Sequence, residues 1–154
     1  SYYDLNQKIS GEPRASLSYQ LPESRVTFAV GMHSKPEHIS TYLFQNTDSA
    51  QTGNYPNKNL DLMRAVHVVA GYECMLPLQL RMKLEAYFQY LYHIPVEQDS
   101  SSGFSIINAE SIFSLYDTKP LVSTGTGKNY GVDLSIERPF VHNFYALFTA
   151  SLFH

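Results

Sequence analysis

Gln79-Leu80-Arg81-Met82-Lys83-Leu84-Glu85-Ala86-Tyr87-Phe88-Gln89-Tyr90-Leu91-Tyr92 alternates for fourteen positions and makes two unlike faces. Leu80, Met82, Leu84, Ala86, Phe88, Tyr90 and Tyr92 form one. Gln79, Arg81, Lys83, Glu85, Tyr87 and Gln89 form the other, with Leu91 as the one apolar intruder. A period of two residues is the mark of a β-strand wet on one side only. Strands of soluble domains run about 5–6 residues, whereas a tilted strand crossing a bilayer needs roughly 9–11. The length and the aromatic far end therefore point to a wall of a transmembrane β-barrel.

Working outward, the whole chain has 154 residues, enough for one sizeable soluble core. Its composition favours a different design. Trp is absent while Tyr and Phe number 12 and 9, and Gly and Pro, eight of each, punctuate the chain evenly. No apolar run reaches the length of a membrane-spanning helix. Mean hydropathy is −0.23, which suits a barrel whose strands keep one face in a wet lumen. The formal net charge of −3 comes with dispersed basic residues, so nothing proposes a nucleic-acid partner. Cys74 is the single cysteine, which excludes an intrachain disulfide and a Cys-based metal site. Ser1-Tyr2-Tyr3-Asp4 has neither the basic nor the apolar region of a signal peptide.

Five further stretches alternate in the same way. Arg14–Leu21 sets Ala15, Leu17, Tyr19 and Leu21 against Arg14, Ser16, Ser18 and Gln20. After a turn at Pro22-Glu23-Ser24, Arg25–His33 sets Val26, Phe28, Val30 and Met32 against Arg25, Thr27, Ala29, Gly31 and His33. Ala65–Glu73 divides Val66, Val68, Ala70 and Tyr72 from His67, Val69, Gly71 and Glu73, and a turn over Met75–Leu78 follows. Asn129–Arg138 divides Tyr130, Val132, Leu134 and Ile136 from Asn129, Gly131, Asp133, Ser135 and Glu137. A turn over Pro139–Asn143 leads to Phe144–Phe153, with Phe144, Ala146, Phe148, Ala150 and Leu152 on one face.

The connections alternate short and long: turns at 22–24, 75–78 and 139–143, loops at about 34–61 and 94–126. Outer-membrane barrels show this rhythm, with brief periplasmic turns and longer extracellular loops. The expected fold is thus all-β, with antiparallel up-and-down hairpins forming part of a transmembrane barrel. A soluble lipocalin-like cup or sandwich also alternates. It would, however, turn the row Arg81, Lys83, Glu85 outward and the apolar face in.

Several stretches resemble one family. Leu121-Val122-Ser123-Thr124-Gly125-Thr126-Gly127-Lys128-Asn129-Tyr130-Gly131-Val132-Asp133-Leu134 is similar to a "G-x-G-x-N-Y-G-V-E-L" segment of TonB-dependent outer-membrane receptors of Bacteroidetes type. Those receptors follow it with a short turn and an aromatic strand like Phe144–Phe153. Glu12-Pro13-Arg14-Ala15-Ser16-Leu17-Ser18-Tyr19 resembles their "E-P-R-x-S-L-x-Y" hairpin start. Leu84-Glu85-Ala86-Tyr87-Phe88-Gln89-Tyr90-Leu91-Tyr92 resembles their "E-A-Y-Y-Q-x-L-Y" strand. The resemblance covers most of the chain in the same order. It implies a receptor in the cell outer membrane that imports a nutrient, with a plug domain and the TonB complex as partners alongside outer-membrane lipid. Two departures accompany it: no plug segment is visible, and six strands stand where such receptors close about 22. The chain also stops in what reads as mid-strand, at Phe153-His154. A fragment from the later part of the barrel is therefore expected.

Enzymatic and metal chemistry finds no constellation. Gly125-Thr126-Gly127-Lys128 fails the phosphate-loop spacing, with Val122 at the first Gly position and Asn129 where Ser or Thr belongs. It reads as the passage from loop to strand. His33 and His38 lack the third and fourth ligands of a zinc site. Asp133 and Glu137 stand roughly 13 Å apart along one strand at about 3.3 Å per residue, beyond the carboxyl separation of about 5–9.5 Å in glycosidases. Pairing with lumen cations such as Arg81 and Lys83 suits them better. No catalytic residue, cofactor or metal ligand is assigned. The lumen-facing candidates are Arg81, Lys83, Glu85, Asp133, Glu137 and His67. Candidate contact regions in the outer loops are 38–55 and 104–117, represented by His38, Tyr42, Tyr55, Phe104, Asn108 and Tyr116. Tyr90, Tyr92 and Tyr130 are expected in an aromatic girdle. The rivals are a soluble ligand- or partner-binding β-domain, such as a surface adhesin, and a plug-less porin.

Overall fold

Each alternating stretch forms a strand, and most strands run further than the alternation itself. The structure, a computed structural model, describes residues 2–3, 7–45, 55–99, 101–108, 119–141 and 144–154. Strand accounts for 67% of the described residues and helix for almost none, which makes the fold all-β. A two-stranded antiparallel ribbon, β1 (Tyr2–Tyr3) with β2 (Lys8–Ile9), precedes the main sheet. The main sheet holds β3 (Arg14–Gln20), β4 (Ser24–Lys35), β5 (Met63–Leu76), β6 (Leu80–Glu97), β7 (Leu121–Val141) and β8 (Phe144–Phe153). Their order in the sheet is their order in the chain, an antiparallel meander that is open at β3 and β8.

Register agrees with the two-faced reading. Ala15↔Val30, Leu17↔Phe28 and Tyr19↔Val26 pair apolar with apolar, while Ser16↔Ala29, Ser18↔Thr27 and Gln20↔Arg25 occupy the opposite face. Across β7 and β8, Val132↔Leu152, Leu134↔Ala150 and Ile136↔Phe148 repeat the pattern against Asp133↔Ser151 and Ser135↔Thr149. A one-residue slip would exchange the faces, so the pattern fixes the register.

The loops expected at 34–61, 94–126 and 139–143 are shorter than the sequence indicated. β4 continues to Lys35, and a helical turn, α1 (Ile39–Tyr42), follows it. β6 runs on to Glu97 through His93, whose φ of 57° is left-handed. Such a residue re-aims the strand, so alternation ends at Tyr92 while backbone pairing persists. β7 begins at Leu121, which places Gly125–Lys128 inside a strand rather than in a loop. A Cβ on Gly125 would lie 2.8 Å from Ile94 O and 2.6 Å from Val96 Cγ1, a closeness that only glycine allows. At the other end β7 includes Pro139, accommodated by a register shift between Arg138 and Val141. Proline lacks the donor that an interior strand requires, and a bulge is where a sheet tolerates it.

The turn between β5 and β6 falls at Pro77–Gln79, beginning two residues later than expected and ending one later. Leu78 (φ 64°, ψ 23°) and Gln79 (φ 59°) are both left-handed. Hairpin turns of this hand match strand twist and ordinarily use Asn and Gly. Leu78 is 78% exposed and gains no packing in return for its strain. Replacing the pair, Leu78→Asn with Gln79→Gly, is expected to raise stability by about 1 kcal/mol, the scale of one relieved left-handed side chain. Urea unfolding of the folded chain measures this; an unchanged or lowered midpoint would contradict the strain.

Candidate functional site

The chain divides into two compact units, one of 1–12, 33–65 and 91–127, the other of 13–32, 66–90 and 128–154. The second holds a row of charges across four neighbouring strands. Alternation brings Arg25, Glu73, Arg81 and Glu137 to one face of β4, β5, β6 and β7. Glu73 Oε2 accepts from Arg25 Nη2 at 2.8 Å, and its Oε1 accepts from Arg81 Nε at 2.8 Å. Arg81 Nη1 lies 3.9 Å from Glu137 Oε2. Each such pair contributes little where water reaches it, roughly 0–1 kcal/mol, yet a shared carboxylate ties the row into one network. Beside it, a cleft of about 210 Å³ is lined by Gln20, Pro22, Glu23, Ser24, Arg25, Glu73, Cys74 and Met75.

A second polar row crosses the same face. Gln89 Nε2 lies 3.3 Å from His67 Nε2, and Asn129 Nδ2 donates to Gln89 Oε1 at 2.9 Å. Between the rows, side chains lie flat over glycines. A Cβ on Gly131 would meet Tyr87 Oη at 2.6 Å and Leu152 O at 2.5 Å, and one on Gly71 would meet Thr27 Oγ1 at 2.5 Å. An aromatic ring covering a strand glycine replaces the packing that glycine lacks, which explains a tyrosine on the polar face.

The opposite face is apolar and uncovered. Leu17 is 71% exposed, Phe28 48%, Phe88 42%, Phe148 58% and Leu152 80%. A monomer in water rarely leaves a large contiguous apolar patch bare. Tyr19, Tyr72 and Phe144 add exposed aromatic rings to this face near the short turns.

The first unit packs around a core of its own. Tyr42, Leu60 and Leu121 are buried, and Tyr3, Phe104 and Ile106 pack against them. Asn57 is fully buried: its Nδ2 donates to Lys119 O at 3.0 Å and its Oδ1 accepts from Leu121 N at 2.8 Å. Asp61 N donates to Ser123 Oγ at 3.0 Å, and Lys8 pairs with Asp61 at 2.7 Å. Glu97 pairs with Lys119 at 3.1 Å and accepts from Ser102 Oγ. Burial raises the Glu37 pKa, opposed by Lys35, and burial also raises that of Tyr42, whose hydroxyl accepts from Glu37 N. Asp99 is lowered by the Ser101 backbone and hydroxyl donors.

Of the residues singled out in the sequence, Arg81 and Glu137 come together, and His67 joins Gln89. Lys83 corrects an expectation: it pairs with Glu85 on its own strand at 2.6 Å, not with a carboxylate across the sheet. Asp133 faces Ser151. Tyr42 corrects another, because it is a core residue with no exposed surface. Phe104 packs on that core. His38 is exposed and caps α1, with Nδ1 2.8 Å from Ser40 Oγ. Tyr55 is 37% exposed and accepts from Gln45 Nε2 at 2.8 Å, and Asn108 is exposed. Tyr116 lies outside the described residues. Sequence reasoning missed the roles of Asn57, which sits in a run of turn residues, and of Arg25 with Glu73, although parity already placed both on the polar face.

The arrangement defines a class, an antiparallel all-β sheet with a charged face and a bare apolar face. Comparison with protein-family models, curated proteins and solved structures finds no match in any of the three.

Asn57→Ala strands a buried donor and acceptor, a loss of about 1–3 kcal/mol. Amide hydrogen exchange should accelerate at Leu121, while the exposed change Asn108→Ala leaves it alone. Equal exchange in both variants would deny Asn57 its role.

Proposed function

We propose that this chain is a stretch of wall of an outer-membrane β-barrel of the TonB-dependent receptor type, importing a nutrient across the outer membrane. The observation that carries the reading is the exposed apolar face set against a charged, hydrogen-bonded one. Length supports it. In the second unit the strand segments 24–32, 66–76, 80–90 and 128–141 match or exceed the roughly 9–11 residues that a tilted spanning strand needs. On this reading the short turns are periplasmic and the long connections are extracellular. The buried core around Tyr42 suits segments that stand in water. No described helix is long and apolar enough to cross a membrane.

A barrel wall works by placing two surroundings side by side. Leu17, Phe28, Leu84, Phe88 and Phe148 would meet lipid, while the rows through Glu73 and Gln89 would line the lumen around a plug. The plug and the TonB complex acting on it are the partners the reading requires. The substrate class spans siderophores, cobalamin, glycans and peptides. A plug-less porin shares the wall, and binding of the intact protein to TonB separates the two. A soluble ligand- or partner-binding domain is disfavoured by the bare apolar face; a cooperatively folded monomer in plain buffer would establish it instead.

Placing Arg at Leu84 or Phe88 is expected to cost about 2–4 kcal/mol for a mid-bilayer site. Lys83→Arg should be nearly silent. Urea unfolding of the intact protein folded into phospholipid vesicles measures both. Equal tolerance of the two faces would overturn the orientation.

A further inference from the structure

Arg138 is the exception on the apolar face of β7. Its register partner is Ala146, continuing the series Leu134↔Ala150 and Ile136↔Phe148, so it shares the face of Leu134 and Ile136 rather than that of Glu137. The guanidinium carbon stands 5.6 Å over the Phe144 ring, and Nε is closed off from solvent without a hydrogen-bond partner. Arg25 and Arg81 meet carboxylates on the polar face. Among the described residues no carboxylate pairs with Arg138. A cation held against an aromatic ring on an otherwise apolar surface carries charge that the protein itself leaves uncompensated.

Its depth identifies the complement. Arg138 lies immediately before the bulge at Pro139, at the short-turn end of the strand, beside the 55%-exposed ring of Phe144. That is where headgroups stand if the sheet is a membrane wall. Arginine is weakly hydrated, and its planar fork matches phosphate oxygens two at a time. Ring contact fixes the fork and leaves its outer edge for an anion.

We propose that Arg138, standing over Phe144, binds the phosphate of an anionic glycerophospholipid headgroup at the short-turn rim of the sheet. The proposal rests on the membrane-wall reading, and the test separates the two. The intact protein, with whatever strands close this sheet, is folded in dodecyl maltoside micelles, which contain no phosphate, and titrated with phosphatidylglycerol; native mass spectrometry counts bound lipid and circular dichroism follows folding. The native chain should retain the lipid, and Arg138→Gln should weaken retention about fivefold, the worth of one interfacial arginine. Arg138→Met, which suits an apolar face, gives the same readout should the Gln variant not fold. Lys58→Gln, a charge removed from an exposed turn, should retain lipid as the native chain does. Diacylglycerol, with the same tails and no phosphate, should bind the native and Arg138 variants alike. Equal phosphatidylglycerol retention by the native and Arg138 variants, in chains that fold, overturns this site and leaves the wall reading standing. Displacement of the lipid by inorganic phosphate at equal concentration also overturns it, as a free-anion site. Failure of the intact protein to fold on micelles removes the wall reading and the site with it.

Discussion

Backbone pairing is the constraint on which this sheet depends. Where strands β4 to β7 have a neighbour on each side their N–H and C=O groups are satisfied without water, whereas β3 and β8 are paired on one side only. In hydrocarbon each unpaired group costs several kcal/mol, which is why only closed sheets cross membranes. Six strands with two open edges therefore need further strands on both flanks if the apolar face meets lipid. The same pairing lets the side chains divide strictly, because the pleat sends alternate residues to opposite sides. Everything distinctive about the two faces follows from that division.

The polar face shows how a two-faced sheet is kept from being merely wet. Glu73 serves Arg25 and Arg81 at once, so three strands are linked by one carboxylate. Gln89 does the same between His67 and Asn129 with uncharged groups. Glycines at 71 and 131 allow Thr27 and Tyr87 to lie down over the backbone. The face is thus hydrogen-bonded yet keeps partly exposed polar groups, which on the proposed reading would let a lumen hold its shape while meeting solute or plug.

Strand identity and facing were legible because both rest on a period of two that needs no tertiary information. The ends were not. β6 outruns its alternation because His93 takes a left-handed conformation, and β7 starts before its alternation because Gly125 fits against Ile94. A sequence reading sees glycines and polar residues at 121–128 and infers a loop; the neighbour that makes them a strand lies about thirty residues away. Tyr42 was misplaced for a similar reason. Tyrosine in a polar stretch looks like a contact residue, and only the arrival of Leu60 and Leu121 turns it into core. Asn57 carried no signal at all, since a buried asparagine and a turn asparagine are spelled alike.

On the proposed barrel-wall reading, that core bears on how the long connections would select a substrate. Binding residues work best on loops held by a rigid scaffold, and Tyr42, Phe104 and Asn57 supply rigidity instead of contact. Asn57 ties the segment before β5 to the start of β7, so two regions distant in sequence are held by one side chain. The side chains left outward differ in kind from those first suspected. His38, Tyr55 and Asn108 are exposed hydrogen-bonding groups, and Ile39, Leu43 and Ile107 stand exposed in the same segments. A surface of that composition offers apolar area beside polar geometry, and the polar part discriminates because a misplaced donor or acceptor forfeits its water without a replacement.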